Sequence, residues 1–151
     1  MTTMPDFRYL MNAAELGSAF ELMRELRPHL THRAAFVDQL MRQSEQHYRL
    51  LGAWREHELV GLAGFRSQEN LLYGQFVYVD DLVVAAAQRT HGVGAQLLDA
   101  VRSQARAQGC AHLVLDTGLH MPLAQRFYFR QGLLAKGMHF VQPLHKDITH
   151  A

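Results

Sequence analysis

An α/β fold, with helices on both faces of a mixed sheet, is predicted by three observations. Two stretches of helical periodicity precede residue 45, three strand-like runs between polar turns fill 48–84, and helix then alternates with strand to Leu144. A chain of 151 residues suits one domain, 1–151, with one core, because chains split only when a core grows well beyond this size.

Taken in order, Phe7 to Leu10 reads as a short first strand, and Asn12 with Glu15 three residues later resembles a capping box that opens a helix. Leu16, Phe20, Met23 and Leu26 follow helical spacing as one apolar stripe, which Pro28 stops. Thr31 is the expected cap of a second helix, with a stripe of Ala35, Phe36, Leu40 and Met41. From Tyr48 the pattern changes to two apolar runs around Arg55-Glu56-His57-Glu58, a hairpin. Ser67 to Asn70 reads as a second polar turn, and Leu72 to Val84, rich in Tyr, Phe and Val, as a long strand. Gly92 to Gln108 carries Val93, Leu97, Val101 and Ala105 four apart, with Gly109 suited to the position past a helix end. Ala111 to Asp116 reads as a strand, Pro122 to Arg130 as a short helix closed by Gly132, and Met138 to Leu144 as a final strand.

Composition narrows the function classes. Hydrophobic residues at 48% and charged residues at 19% suit a soluble globular chain. A formal charge of +1 lacks the bias needed to displace counterions from many phosphates, so no nucleic-acid partner is expected. The longest apolar run, Leu82 to Ala87, is far short of a membrane span, and Met1 to Leu10 has no apolar run of signal-peptide length, so no membrane partner and a cytoplasmic location are expected. Cys110 stands alone and reads as a buried, inert thiol. No histidine pair has HExxH spacing, so no metal site is expected.

Chemistry enters at Arg89-Thr90-His91-Gly92-Val93-Gly94, where a strand ends and a helix begins. The first backbone N–H groups of that helix have no intrahelical partner, and the helix dipole adds about 0.3–1 kcal/mol of attraction for an anion. Glycine at 92 and 94 lets an oxyanion approach the backbone and permits positive φ, while Arg89 adds a permanent charge. GxxxxGK[ST] is absent and GxGxxG lacks its spacing, which removes P-loop kinases and Rossmann dehydrogenases.

Arg-x-x-Gly-x-Gly after the apolar Leu82-Val83-Val84, followed by Ala95-Gln96-Leu97-Leu98, resembles the signature of the GNAT N-acetyltransferase superfamily. About forty residues past Arg89, Ala124-x-x-Phe127-Tyr128-x-x-x-Gly132 resembles that family's second landmark. The resemblance covers Tyr48 to Leu144 and implies a mostly antiparallel sheet of six or seven strands with a splayed central pair. It also implies acetyl-CoA as co-substrate, its pyrophosphate on the turn from Arg89 through Thr90, His91, Gly92, Val93 and Gly94 to Ala95. Backbone groups of Leu82, Val83 and Val84 would then meet the pantetheine arm. Three positions depart from the pattern: Met121 in place of an asparagine, His91, and Leu133 in place of an aromatic.

An alkylamine with a pKa near about 10.4 is neutral in only about one molecule per two or three thousand at pH 7, so a proton acceptor is needed. Asp80 and Asp81 precede the turn, and strand alternation lets only one of them face the acceptor. Asp81 is preferred, since similar enzymes carry an acid at this offset. Tyr128 is the candidate partner of the departing thiolate. The expected acceptor is a primary amine, on a small molecule ahead of a protein lysine or N-terminus. A non-catalytic acyl-CoA sensor and an oligomeric interaction protein remain as alternatives, and a homodimer is left open.

Overall fold

The structure, a computed structural model, describes residues 4–145. The period-two runs pair into one sheet whose spatial order follows the chain: β1 (Asp6–Leu10), β2 (Tyr48–Arg55), β3 (Glu58–Asn70), β4 (Gly74–Val84) and β5 (His112–Leu115). The first four are antiparallel neighbours, and β5 alone joins parallel. A parallel neighbour needs a crossover, and α4 (Val93–Ala107) supplies it. The other helices are α1 (Ala13–Gly17), α2 (Phe20–Leu26), α3 (Arg33–Ser44) and α5 (Pro122–Arg130). The chain divides into two compact units, Met1–Leu115 and Asp116–Ala151.

In the first unit, helices cover both sheet faces. Leu16, Phe20, Met23, Phe36 and Leu40 from α1, α2 and α3 pack with Leu10, Leu50, Leu62 and Val83 on one side. On the other, Val93, Leu97, Val101 and Ala105 of α4 pack with Leu51, Ala53, Ala63, Phe65, Val77 and Val79. Leu97, Leu98 and Val101 are fully buried, and each such side chain contributes about 1.5–3 kcal/mol relative to exposure. This face fixes the helix whose first turn is the predicted anion site.

Several sequence expectations are corrected. The sheet has five strands among the described residues rather than six or seven. Met138 to Leu144 forms no strand and lies exposed. Its alternation fails at Val141-Gln142, and Pro143 cannot donate a ladder hydrogen bond. Ser67 to Asn70 is strand rather than turn, and the reversal comes at 71–73. There the Asn70 side chain accepts from the N–H groups of Leu72 and Tyr73, which leaves Leu71 and Leu72 exposed at the tip.

Asn12 and Glu15 do form a capping box, but the helix breaks after Gly17 and restarts at Phe20. Thr31 is not the cap of α3: His32 takes that position, without a side-chain bond. Ala35 and Met41 are exposed, with Phe36 and Leu40 carrying the buried stripe. Cys110 is half-buried at the margin of the α4 cluster rather than enclosed.

Candidate active site

The strand β4 does not alternate cleanly, and the reason decides the geometry of the site. Val77 and Val79 face the α4 side, yet Val83 packs with α1, α2 and α3. The register explains this: Phe65 opposes Val79 and Gly64 opposes Asp81, so Asp80 is an extra residue in a β-bulge. The bulge reverses the parity and draws both carboxylates toward the α1–α3 side. The expectation that only one of Asp80 and Asp81 can face that side is therefore corrected, because alternation holds only in a regular strand.

Around the two carboxylates lies a cluster that sequence reasoning missed. The Tyr48 hydroxyl donates to Asp81 Oδ2 at 2.8 Å, and the ring is 2% exposed. It reaches Asp81 across β3 at Gly64, where an added Cβ would sit on the Tyr48 hydroxyl. Burial, with Asp81 beside it, pushes the Tyr48 phenol well above its ordinary value, so it stays a proton donor. Arg27, just past α2, donates from Nε to Asp81 Oδ1 at 3.1 Å and from Nη2 to the Asp80 carbonyl at 2.8 Å, and its Nη2 forms an ion pair with Asp81 Oδ1 at 3.0 Å. Arg66 Nε donates to Asp80 Oδ2 at 3.0 Å. Desolvation raises the Asp80 carboxyl above the usual range, with the Arg66 hydrogen bond opposing it. Gly64 within β3 is a sequence signal for close approach, but nothing in the sequence ties it to Tyr48.

The predicted cofactor segment follows directly. Pairing between β4 and β5 ends at Val79 and Leu115, while β4 continues to Val84. Leu82, Val83 and Val84 are paired to β3 on one side and have no strand partner on the other among the described residues. This is the splayed pair. After a 3-10 turn at Ala86–Gln88, Gly92 takes the N-cap of α4 at φ 76°, and no side chain caps the helix. Gln96 N–H to Gly92 O is the first bond of the helix, so the N–H groups of Val93, Gly94 and Ala95 precede it. Positive φ is used at Gly92 and not at Gly94, which lies within the helix.

Arg89, Thr90, His91 and Gly92 are exposed, whereas Val93 is buried. Arg89 Nε donates to the Val84 carbonyl at 3.2 Å, and its Nη2 lies 3.6 Å from Glu25 Oε1. His91 Nδ1 sits 3.1 Å from Gln88 Oε1. Tyr128 belongs to the second unit, half-buried on α5, with its ring edge-on to Phe127 at 5.3 Å. Pro122 occupies the first turn of α5, as its fixed φ favours. A groove of about 340 Å³ lined by His47, Ser67, Gln75, Gln108 and Cys110 holds none of the predicted residues. Among the described residues no group of three His, Cys, Asp or Glu is placed to hold a metal ion, and no helix is long and apolar enough to cross a membrane.

The sequence profile of the acetyltransferase (GNAT) family matches residues 16–133. The chain belongs to this family. The match takes in both landmarks, the turn at Arg89–Gly94 and the helix bearing Tyr128. A curated relative, the uncharacterized N-acetyltransferase YhdJ of Bacillus subtilis, is 26% identical over 121 residues, 80% of this chain and 85% of that protein. Among solved structures, the aminoglycoside N-acetyltransferase AAC(6')-Iy in complex with CoA superposes with a TM-score of 0.82 at 19% identity, covering 96% of this chain and 98% of its own. A transcriptional regulator from Bacillus halodurans gives the same TM-score and identity over 93% and 99%. At such identities the structural likeness establishes the GNAT fold in this chain.

Proposed function

We propose that this GNAT member is an acetyl-CoA-dependent N-acetyltransferase, a single domain over residues 1–151 acting in the cytoplasm. It transfers acetyl directly to a primary amine, on a small molecule ahead of a protein lysine or N-terminus. The observation that carries this reading is the uncapped start of α4, with Gly92 in the left-handed region, beside a β4 edge that runs five residues past its last β5 partner. An added Cβ at Gly92 would meet nothing within 4 Å, so the glycine serves conformation and access rather than packing.

These residues fit acetyl-CoA as a substrate. The N–H groups of Val93, Gly94 and Ala95, aided by the dipole of a fifteen-residue helix, suit a diphosphate. Among the described residues Arg89 is held by the Val84 carbonyl and by Glu25 at 3.6 Å, weak exposed ties that an added anion can replace. The outer edge of Leu82 to Val84 suits the amides of a pantetheine arm, paired as an added strand. When bound, acetyl-CoA supplies the thioester carbon that the amine attacks.

The chain's own groups then handle protons and charge. Asp81, fixed by Tyr48, takes the proton that the incoming ammonium must lose, directly or through water. A backbone N–H of Val83 or Val84 is proposed to stabilise the oxyanion, and Tyr128 to hydrogen-bond the departing thiolate. The structural neighbour AAC(6')-Iy is an aminoglycoside N-acetyltransferase, which supports a small-molecule amine as the first class to test.

Coenzyme A release over a panel of primary amines tests the proposal. Turnover is expected with at least one amine, and Tyr128→Phe should lower kcat by about 10²-fold, the scale of general-acid assistance. Acetyl-CoA binding with no turnover on any amine, and no effect of Tyr128→Phe, would instead support an acyl-CoA sensor. One observation favours that second reading: Asp81 is engaged by the protein's own Arg27.

A further inference from the structure

Resting on the acetyl-transfer reading, we infer that the Asp81 carboxylate is the seat for the acceptor's cationic head and that Arg27 is its resident occupant. An acceptor ammonium displaces the Arg27 guanidinium and takes its place on Oδ1. The seat is therefore selective for a singly charged alkylammonium or guanidinium.

The seat is built from beneath. Tyr48 approaches from β2, crosses β3 at Gly64, where no Cβ stands in the way, and fixes Asp81 Oδ2 at 2.8 Å. A buried phenol is a donor and never a cation, so it orients the carboxylate without neutralising it. The second oxygen, Oδ1, is left for a cation, and Arg27 supplies one at 3.0 Å.

Burial distinguishes seat from occupant. The Asp81 side chain is 15% exposed and that of Arg27 43%, so the guanidinium sits at the mouth while the carboxylate lies inside. Arg27 follows α2 at φ −122°, ψ 74°, outside helical geometry. Its backbone is anchored, with its N–H on the Met23 carbonyl and its carbonyl accepting from Leu30. Its side chain is tied only to Asp81 and to the Asp80 carbonyl among the bonds described, and it can swing outward on its own torsions.

Charge sets the valence of the ligand. The groups facing Asp81 are Tyr48 from β2, Arg66 from β3, Asp80 from β4 and Arg27 from the end of α2. Arg66 is committed to Asp80 at 3.0 Å, and its guanidinium lies 5.6 Å over the Tyr48 ring. With Arg27 withdrawn, one carboxylate is left uncompensated, which one positive charge restores. An uncharged or anionic acceptor would leave a partly buried charge without a partner.

The test measures the seat with and without its occupant. Methylguanidinium binding, followed by ligand-observed NMR, is expected to be at least tenfold tighter to Arg27→Gln than to the wild type. It should vanish in Arg27→Gln/Asp81→Asn and weaken about tenfold in Arg27→Gln/Tyr48→Phe. In steady state, Arg27→Gln should lower the KM for the best amine at least threefold, leaving the KM for acetyl-CoA unchanged. Equal methylguanidinium binding in wild type and Arg27→Gln, binding that survives loss of Asp81, or a raised amine KM would overturn the inference. A wild type that turns over no amine would defeat the acetyl-transfer reading alone, because the binding measurement still reports on the seat.

Discussion

Gly64 controls how Tyr48 meets Asp81, and a single methyl tests that arrangement. In Gly64→Ala the new Cβ collides with the Tyr48 hydroxyl and ring, an overpacking that should cost about 1–3 kcal/mol in urea unfolding. Because the Tyr48–Asp81 hydrogen bond is already broken in that variant, adding Tyr48→Phe should cost little more, a non-additivity expected of contacting residues.

Asp80 offers a second test at this scale. Its carboxyl is raised by desolvation, so the folded chain holds the proton more readily than the unfolded one. Its contribution to stability is full below the unfolded value, about 3.9, and is lost as pH rises through the higher native value. The stability of wild type relative to Asp80→Asn, by urea unfolding, should therefore shrink as the pH rises from below about 4. The acidic pair itself was legible in the sequence. Its shared orientation was not, because a bulge depends on pairing register, and register is set by partners on another strand.

Among the elements, α4 was read almost to its ends, since a buried stripe four residues apart leaves one periodicity. Its start depends on Gly92 at φ 76°. Gly92→Ala should cost about 1–2 kcal/mol from the left-handed backbone alone, since the added methyl has open space. A fall in melting temperature of about 2–8 °C is the expected readout. The α1 cap was equally legible, and Asn12→Ala should cost about 1 kcal/mol by losing the bond to the Glu15 N–H. Less was visible where local and tertiary signals diverge. Leu71 and Leu72 have strand-like side chains, yet the Asn70 turn claims them. In the same way, α2 ends with Glu25 directed to Arg89 and Arg27 directed to Asp81, and no sequence period announces such ion pairs.

At the scale of the whole molecule, order of elements was the robust signal. Strand, helices, three antiparallel strands, crossover helix and parallel strand left few ways to cover both sheet faces, and the sheet of the first unit follows that order. The two landmark motifs carried the family, whose match spans 16–133. Acceptor identity was not legible, because no motif in the sequence encodes the shape or charge of an acceptor.

The central claim is that the first N–H groups of α4 grip the diphosphate of acetyl-CoA. Titration of ¹⁵N-labelled protein with acetyl-CoA tests it most directly. The amide resonances of Val93, Gly94 and Ala95 should shift most and saturate together. Saturable binding that leaves those three amides unmoved would contradict the account.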